Sequence, residues 1–130
     1  MIKEGKILGL GGVFFKSPDP KKLIAWYKTW LALPVDEYGY ASLQVAGLPP
    51  KVSQVWSPFK EDTEYFLPSK KQCMFNFMVD NVEAALKRVA AGGADIVGEP
   101  ESSEYGTFGW FMDPDENKVE LWQPPEESKV

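Results

Sequence analysis

Two stretches of the chain carry apolar residues at the spacing of a helical face. The first set is Leu23, Tyr27, Trp30 and Leu31, and the second is Val82, Ala85, Leu86 and Val89. Asp19 and Pro20 precede the first set as in a typical helix start, and Gly92 and Gly93 follow the second set as in a typical helix end. The pattern therefore predicts two amphipathic helices, each with one apolar face against a core.

Short apolar runs that flank the helices predict β-strands. One run precedes each helix, at residues 7–16 and 73–80. The runs that follow the helices lie at residues 40–47 and 51–58 in the first half, and at 94–100, 105–113 and 117–125 in the second. Both halves therefore have the order strand, helix, strands, and an alignment of the two halves places Gln54 on Glu120.

A repeated unit of this kind indicates two modules that bury one face each against the other. At 130 residues, the chain is predicted to form a single domain over residues 1–130. We expect the first βαβββ module in residues 1–62 and the second in residues 72–126.

The composition narrows the classes of partner and the cell compartment. A formal net charge of −5 argues against nucleic acid and anionic membranes as partners. No apolar run approaches the roughly 20 residues that cross a bilayer, and the first residues lack the layout of a signal peptide. The single cysteine, Cys73, excludes an intramolecular disulfide. We therefore expect a soluble cytoplasmic protein.

The sequence contains no histidine. This excludes Ser-His-Asp and Cys-His nucleophile systems, and it removes the usual general acid or base near neutral pH. It also removes the commonest transition-metal ligand. Any mechanism must therefore work without imidazole.

Several motifs resemble those of the vicinal oxygen chelate superfamily, which includes glyoxalases, bleomycin-resistance proteins and extradiol dioxygenases. The motifs are VFFKSPDPKKLIAWYKTWLALPV, FNFMVDNVEAALKRVAAGGADIV, the Tyr105-Gly106 pair and FMDPDENKVELWQPP. The last of these is similar to the family's D-P-D-G-N turn followed by a strand that ends in E-L. The resemblance implies an α+β fold in which two βαβββ modules pair into an open eight-stranded mixed barrel around a cavity.

The resemblance also implies four places at which metal-dependent members carry ligands, usually His or Glu. In this chain they correspond to Gly12, Gln54, Met74 and Glu120. Only Glu120 is a ligand of the expected type, and one carboxylate with one amide does not make a tight divalent site. We therefore expect no metal site and no cofactor.

The DPDEN turn at residues 113–117 also departs from the family's D-P-D-G-N pattern. Glu116 stands where the family has a glycine, often in a left-handed conformation. If the turn is kept, this residue costs on the order of 1 kcal/mol. A different turn type is the alternative.

Side-chain alternation along the predicted strands separates a cavity face from a helix face. If Met74 faces the cavity, Asn76 and Met78 do too, whereas Phe75 and Phe77 face the helix. The predicted ligand-binding residues are Phe14, Gln54, Trp56, Met74, Asn76, Met78 and Trp122, with Glu120 as the candidate catalytic group. Such a lining suits a flat, partly aromatic ligand. The alternative is that Met and Trp side chains fill this space as ordinary core.

Three functions remain open on these residues. Resemblance to the bleomycin-resistance branch implies a homodimer that binds a small aromatic or cationic molecule without a metal. The alternative is a lyase, isomerase or dioxygenase, either metal-free with Glu120 as general base or with an atypical metal site. A regulatory ligand-sensing or protein-interaction domain would use the same pocket. Whether the chain is an enzyme stays open, because the family's usual ligands are mostly absent.

Overall fold

The structure is a computed structural model that describes residues 5, 10 and 12–126. Its elements are α1 (Pro20–Leu31), a 3-10 turn (Val45–Gly47), β1 (Phe75–Met78), α2 (Val82–Ala91), β2 (Asp95–Ser103), β3 (Gly106–Met112) and β4 (Lys118–Gln123). Residues 75–123 therefore have the order strand, helix, three strands. No helix among the described residues is long and apolar enough to cross a membrane.

Both helices begin where the sequence predicts, and α2 also ends there. The side chains of Asp19 and Asn81 accept hydrogen bonds from backbone N–H groups in the first turns of α1 and α2. Ala32 ends α1 in a left-handed conformation, and Gly92 caps α2. These caps satisfy backbone groups that would otherwise lack partners.

The four strands form one mixed sheet in the order β1-β4-β3-β2. β1 runs parallel to β4, whereas the other neighbours are antiparallel. The register places Asn76 beside Glu120 on one side, and Trp110 beside Glu120 on the other. The two edges of the sheet are β1 and β2.

Both helices pack on one face of this sheet. The buried core consists of Leu23, Tyr27, Val82, Ala85, Leu86, Val89, Phe111, Val119 and Leu121. Each side chain of Leu or Val size contributes about 1.5–3 kcal/mol when it is fully buried. Gly109 allows the close approach of α2, because a Cβ there would lie 2.8 Å from a Val82 methyl group. The opposite face, which we call the open face, carries no helix among the described residues.

The acidic turn between β3 and β4 anchors α1. Asp113 is buried, and its carboxylate accepts hydrogen bonds from the Tyr27 hydroxyl at 2.8 Å and from the backbone and side chain of Asn117. Glu116 has a φ of 63°, so the turn keeps the left-handed geometry in which the family has glycine. The different turn type considered above is therefore wrong.

Two strands predicted for the first half are absent from the structure. Residues 40–47 contain only an isolated bridge between Val35 and Ala41 and the 3-10 turn, and residues 51–58 form no strand. Of the predicted strand at 7–16, residues 7–9 and 11 lie outside the described part, and residues 12–16 are not strand. Alternation alone does not make a strand, since its backbone groups need a neighbouring strand to bond.

The sheet is therefore four-stranded and not closed within the described part of one chain. The eight-stranded barrel that the resemblance implies is not formed there. The α+β class, with a mixed sheet, agrees with the expectation.

Candidate functional site

Glu120 lies on the open face because its strand alternates. Its neighbours Val119 and Leu121 are 0% exposed and belong to the core under the helices. The side chain between them must point to the other face, where Glu120 is half-buried. Strand geometry thus places a carboxylate on an open, mostly aromatic surface.

Three side chains donate hydrogen bonds to this carboxylate. Oε1 accepts from the Tyr65 hydroxyl at 2.5 Å and from the Trp110 indole N–H at 2.9 Å. Oε2 accepts from the Asn76 amide at 2.7 Å. Asn76 and Trp110 reach the carboxylate because they are its register partners on β1 and β3.

Aromatic rings surround the carboxylate on the open face. Phe108 and Trp122 are stacked, with 6.3 Å between centroids and 12° between planes. The Trp122 indole N–H donates to the Tyr105 carbonyl at 2.7 Å, which fixes its ring. Trp110 meets Tyr65 edge to face at 6.4 Å. These rings form an apolar surface around the Glu120 carboxylate.

Tyr65 comes from a loop that covers part of the open face. Its ring stacks on Phe59 at 5.7 Å, and its carbonyl accepts a hydrogen bond from the Lys118 ammonium. Burial, followed by the hydrogen bond to Glu120, raises the pKa of Tyr65 above its ordinary range. The hydroxyl therefore stays protonated and remains a donor.

Lys118 lies on the same face two residues before Glu120. Its Nζ is 5.0 Å from the Tyr65 ring centroid and 5.9 Å from that of Trp110. Burial lowers the pKa of Lys118, and the Glu120 carboxylate opposes this shift.

A cavity of about 250 Å³ opens beside this cluster. Tyr65, Trp110 and Lys118 form one side of it, and β2 residues from Val97 to Glu101 contribute the other. A larger cleft of about 840 Å³ lies between α1 and the β3–β4 turn. We assign the candidate site to the smaller cavity, since the Asp113 carboxylate at the larger cleft is fully used in hydrogen bonds of the turn.

Comparison with known families identifies the fold. Residues 12–122 match the sequence model of the glyoxalase-like domain family. The chain belongs to this family. The predicted resemblance to the vicinal oxygen chelate superfamily is thereby confirmed. No curated protein sequence matches this glyoxalase-like domain.

Three solved structures are similar to parts of this glyoxalase-like domain. The antibiotic-binding protein TnmS3 from Streptomyces sp. CB03234 is 31% identical, with coverage of 39% of this chain and 41% of that chain and a TM-score of 0.35. The fosfomycin resistance protein FosX from Mesorhizobium loti is 24% identical, with coverage of 46% and 51% and a TM-score of 0.35.

The third is a member of the glyoxalase/bleomycin resistance protein/dioxygenase superfamily from Sphaerobacter thermophilus DSM 20745. It is 18% identical, with coverage of 81% of this chain and 88% of that chain and a TM-score of 0.46. This chain thus spans about half, or less, of the length of the first two proteins.

The metal ion of the family's chelating members does not fit the residues of this glyoxalase-like domain. Among the described residues, no group of three or more His, Cys, Asp or Glu side chains could hold a metal ion. Both oxygens of Glu120 already accept hydrogen bonds from protein donors. The side-chain amide of its neighbour Asn76 directs an N–H group at the carboxylate. An N–H group is a hydrogen-bond donor and cannot bind a metal ion.

The structure brings some of the predicted site residues together. Asn76, Met78, Glu120 and Trp122 share the open face, because Asn76 and Met78 are the register partners of Glu120 and Trp122. Met74 precedes β1 and is half-buried. Phe77 packs against the core on the helix side, and Phe75 stacks on Phe77.

The remaining predicted residues lie on segments that form no strand. Phe14 is 96% exposed and Trp56 is 79% exposed. Gln54 accepts a hydrogen bond from the Leu10 backbone at 3.0 Å. Within the described residues, no hydrogen bond or ring contact joins these three side chains to Glu120.

Sequence reasoning missed Tyr65, Trp110 and Lys118. The hydroxyl partner of Glu120 is Tyr65, which lies on a loop where no strand alternation could indicate its direction. Lys118 could have been found, because alternation places it on the same face as Glu120. Trp110 could not, since its place beside Glu120 depends on the β3–β4 register, which the sequence does not specify.

Proposed function

We propose that this chain binds a small, flat aromatic molecule that carries a cationic or N–H group, without a metal ion. The supporting observation is Glu120, a half-buried carboxylate held by three donors on an open face of aromatic rings. The rings offer stacking surface, and the carboxylate offers an anchor for a positive group.

The hydrogen-bond capacity of Glu120 leaves room for a ligand. An ionised carboxylate has about four acceptor positions. Oε1 uses two of them for Tyr65 and Trp110, and Oε2 uses one for Asn76. One position on Oε2 is left for a ligand donor, and the three protein donors fix its direction.

The same hydrogen bonds favour binding over proton abstraction. A general base must accept a proton from its substrate. A proton taken up at the free position of Oε2 would turn the charge-assisted hydrogen bonds from Tyr65, Trp110 and Asn76 into weaker neutral ones. We therefore place the metal-free lyase or isomerase second.

A second copy of the chain is part of this proposal. Large apolar side chains are exposed on the segments that form no strand, among them Phe14, Val55 and Trp56. A partner surface would cover these side chains. We propose that these segments pair with a partner copy to complete the two-module, eight-stranded barrel over the open face.

A cytoplasmic location agrees with the single cysteine, Cys73.

The test uses 9-aminoacridine, a flat aromatic cation with N–H donors, titrated against the protein and followed by dye anisotropy. Replacing Glu120 with Gln should weaken binding by roughly tenfold or more, because a charge-assisted hydrogen bond contributes about 1.5–3 kcal/mol. Glu104→Gln is the matched control, since it removes an equal charge from an exposed turn. The anion 9-anthracenecarboxylate should not bind.

The outcomes separate cleanly. Binding that is weakened only by Glu120→Gln supports the proposal. No binding of 9-aminoacridine, an equal loss in both variants, or equal binding of the anion would overturn it. Thermal melts of each variant show whether a loss reflects unfolding.

A further inference from the structure

Lys118 is a buried lysine that faces the cavity. It begins β4 and is 7% exposed, whereas every other lysine among the described residues is exposed. Together with Tyr65 and Trp110, it lines the cavity of about 250 Å³. A buried amine next to a cavity is placed to meet a ligand rather than solvent.

The surroundings of Lys118 supply few partners for a charged ammonium. An ammonium has three N–H donors, and the only hydrogen-bond acceptor of Lys118 among the described residues is the Tyr65 carbonyl. The rings of Tyr65 and Trp110 lie 5.0 Å and 5.9 Å from the nitrogen, and these cation–π contacts favour the ammonium without supplying an oxygen acceptor for its remaining N–H groups. A neutral amine needs fewer acceptors than an ammonium and keeps a lone pair, which makes it a nucleophile.

We propose that Lys118 forms a reversible imine with a small aromatic aldehyde or ketone that enters the cavity. The two aromatic rings near the nitrogen favour a flat carbonyl compound. This inference goes beyond non-covalent binding at Glu120 and is independent of whether a cation binds there.

The reaction needs no oxidant, reductant or second reagent. The ammonium releases a proton to solvent, and the nitrogen lone pair attacks the carbonyl carbon. A C–N bond forms, while the C=O π pair moves to oxygen, which takes up a proton. The carbinolamine then loses its hydroxyl as water and an N–H proton, which leaves a C=N bond. One amine and one carbonyl compound give one imine and one water.

The ionisable groups that face Lys118 come from three elements. Glu120 lies on its own strand, and Tyr65 lies on the covering loop. Glu99 and Glu101 line the cavity from β2. Burial, the larger effect, favours the neutral amine of Lys118, and the Glu120 carboxylate favours the ammonium. The rates of adduct formation are therefore compared at one fixed pH.

The experiment traps the imine. The intact protein is incubated with benzaldehyde and sodium cyanoborohydride at neutral pH, and the reduced benzyl adduct is located by intact mass and peptide mapping. We expect the adduct at Lys118 to form roughly tenfold faster than at any exposed lysine, because burial favours its neutral amine and the neighbouring aromatic rings hold the carbonyl compound beside it.

Two variants control the assignment. Lys118→Met should lose the fast adduct, and Lys87→Met, which removes an exposed lysine of α2, should keep it. Adducts spread over exposed lysines at equal rates, or a fast adduct that persists in Lys118→Met, would overturn the inference. The wild-type peptide map decides the matter by itself if Lys118→Met does not fold. Because the readout is covalent, it is distinct from the 9-aminoacridine titration.

Discussion

Three acidic residues near the end of the chain show how surroundings decide the role of one functional group. Asp113 is buried and fully used as an acceptor within its turn, where it stabilises the fold. Glu120 is half-buried, accepts three hydrogen bonds and keeps one acceptor position open. Glu116 is exposed, and it differs from the other two by its positive backbone φ of 63°. Of the three, only Glu120 therefore has a carboxylate whose orientation is fixed by protein donors and which can still accept a hydrogen bond from a ligand.

At this residue scale, replacing Glu116 with Gly should stabilise the protein. Glu116 adopts a φ of 63°, which costs a residue with a Cβ on the order of 1 kcal/mol. Glycine adopts this φ without that cost, although it adds entropy to the unfolded chain. Because the entropy of the unfolded chain offsets about 0.4–1 kcal/mol of this relief, we expect a net gain of up to about 0.6 kcal/mol in the free energy of unfolding, measured by chemical denaturation.

The control for Glu116→Gly is Glu104→Gly. Glu104 is also exposed and lies in a turn, but it does not have a positive φ. Its replacement should be neutral or destabilising, since only the entropy of the unfolded chain changes. Equal effects of both substitutions would show that the left-handed backbone carries no strain.

At the scale of elements, α1 is held to the second half of the chain by a few specific contacts. The Tyr27 hydroxyl bonds to Asp113 in the β3–β4 turn. The Trp26 indole donates to the Gly92 carbonyl at the end of α2, and the Arg88 guanidinium donates to the Trp30 carbonyl. These bonds, together with the buried faces of both helices, join the two halves on one side of the sheet.

Removing the Tyr27 hydroxyl should weaken this attachment. Tyr27→Phe leaves the ring in the core but deprives the buried Asp113 of one donor. A hydrogen bond to a charged group contributes about 1.5–3 kcal/mol, so a loss of that size in the free energy of unfolding is expected. Tyr38→Phe, at an exposed tyrosine, should change stability by less than about 0.5 kcal/mol.

The Tyr27 contribution should also depend on pH. Burial, then the Asp113 carboxylate, raises the pKa of Tyr27 above its ordinary value of 10.0. The folded state therefore holds this proton more tightly than the unfolded state. Its contribution is complete below about pH 10 and falls as the pH rises above that value.

The measurement compares the free energies of unfolding of wild type and Tyr27→Phe from about pH 7 to about pH 11. The difference should stay constant at first and shrink above about pH 10. Tyr65 and Lys118 also have shifted pKa values, but both proteins contain them, so their effects cancel in the difference. A difference that grows with pH would contradict the assignment.

The sequence predicted the elements that depend on local signals and missed those that depend on a partner strand. Both helices, the start of α1 at Asp19, the end of α2 at Gly92 and the strands of the second half follow from periodicity, capping residues and turns. The runs at 40–47 and 51–58 alternate in the same way but have no neighbouring strand in the described structure. The donors to Glu120 were missed for a related reason, since Tyr65 lies 55 residues away in the chain.

At the scale of the whole molecule, exposed apolar surface and an open sheet edge remain. Phe15 packs against Phe75 at 4.6 Å, so residues 12–16 run beside the edge strand β1 without pairing with it. Phe14 and Trp56 project from segments that form no strand and are 96% and 79% exposed. An unpaired edge and exposed aromatic side chains are the features that a second copy would cover.

We therefore expect a dimer in solution, which analytical ultracentrifugation would detect as twice the mass of one chain. Phe14→Asp and Trp56→Asp should each raise the dissociation constant by roughly tenfold or more, because central aromatic residues contribute about 2 kcal/mol or more to an interface. Tyr105→Asp is the control. Tyr105 is also an exposed aromatic residue, but it lies on the β2–β3 turn and not on the segments of the first half that form no strand. A monomeric wild type, or equal weakening by Tyr105→Asp, would remove the basis for a barrel completed by a partner. The open face would then have to bind its ligand unaided.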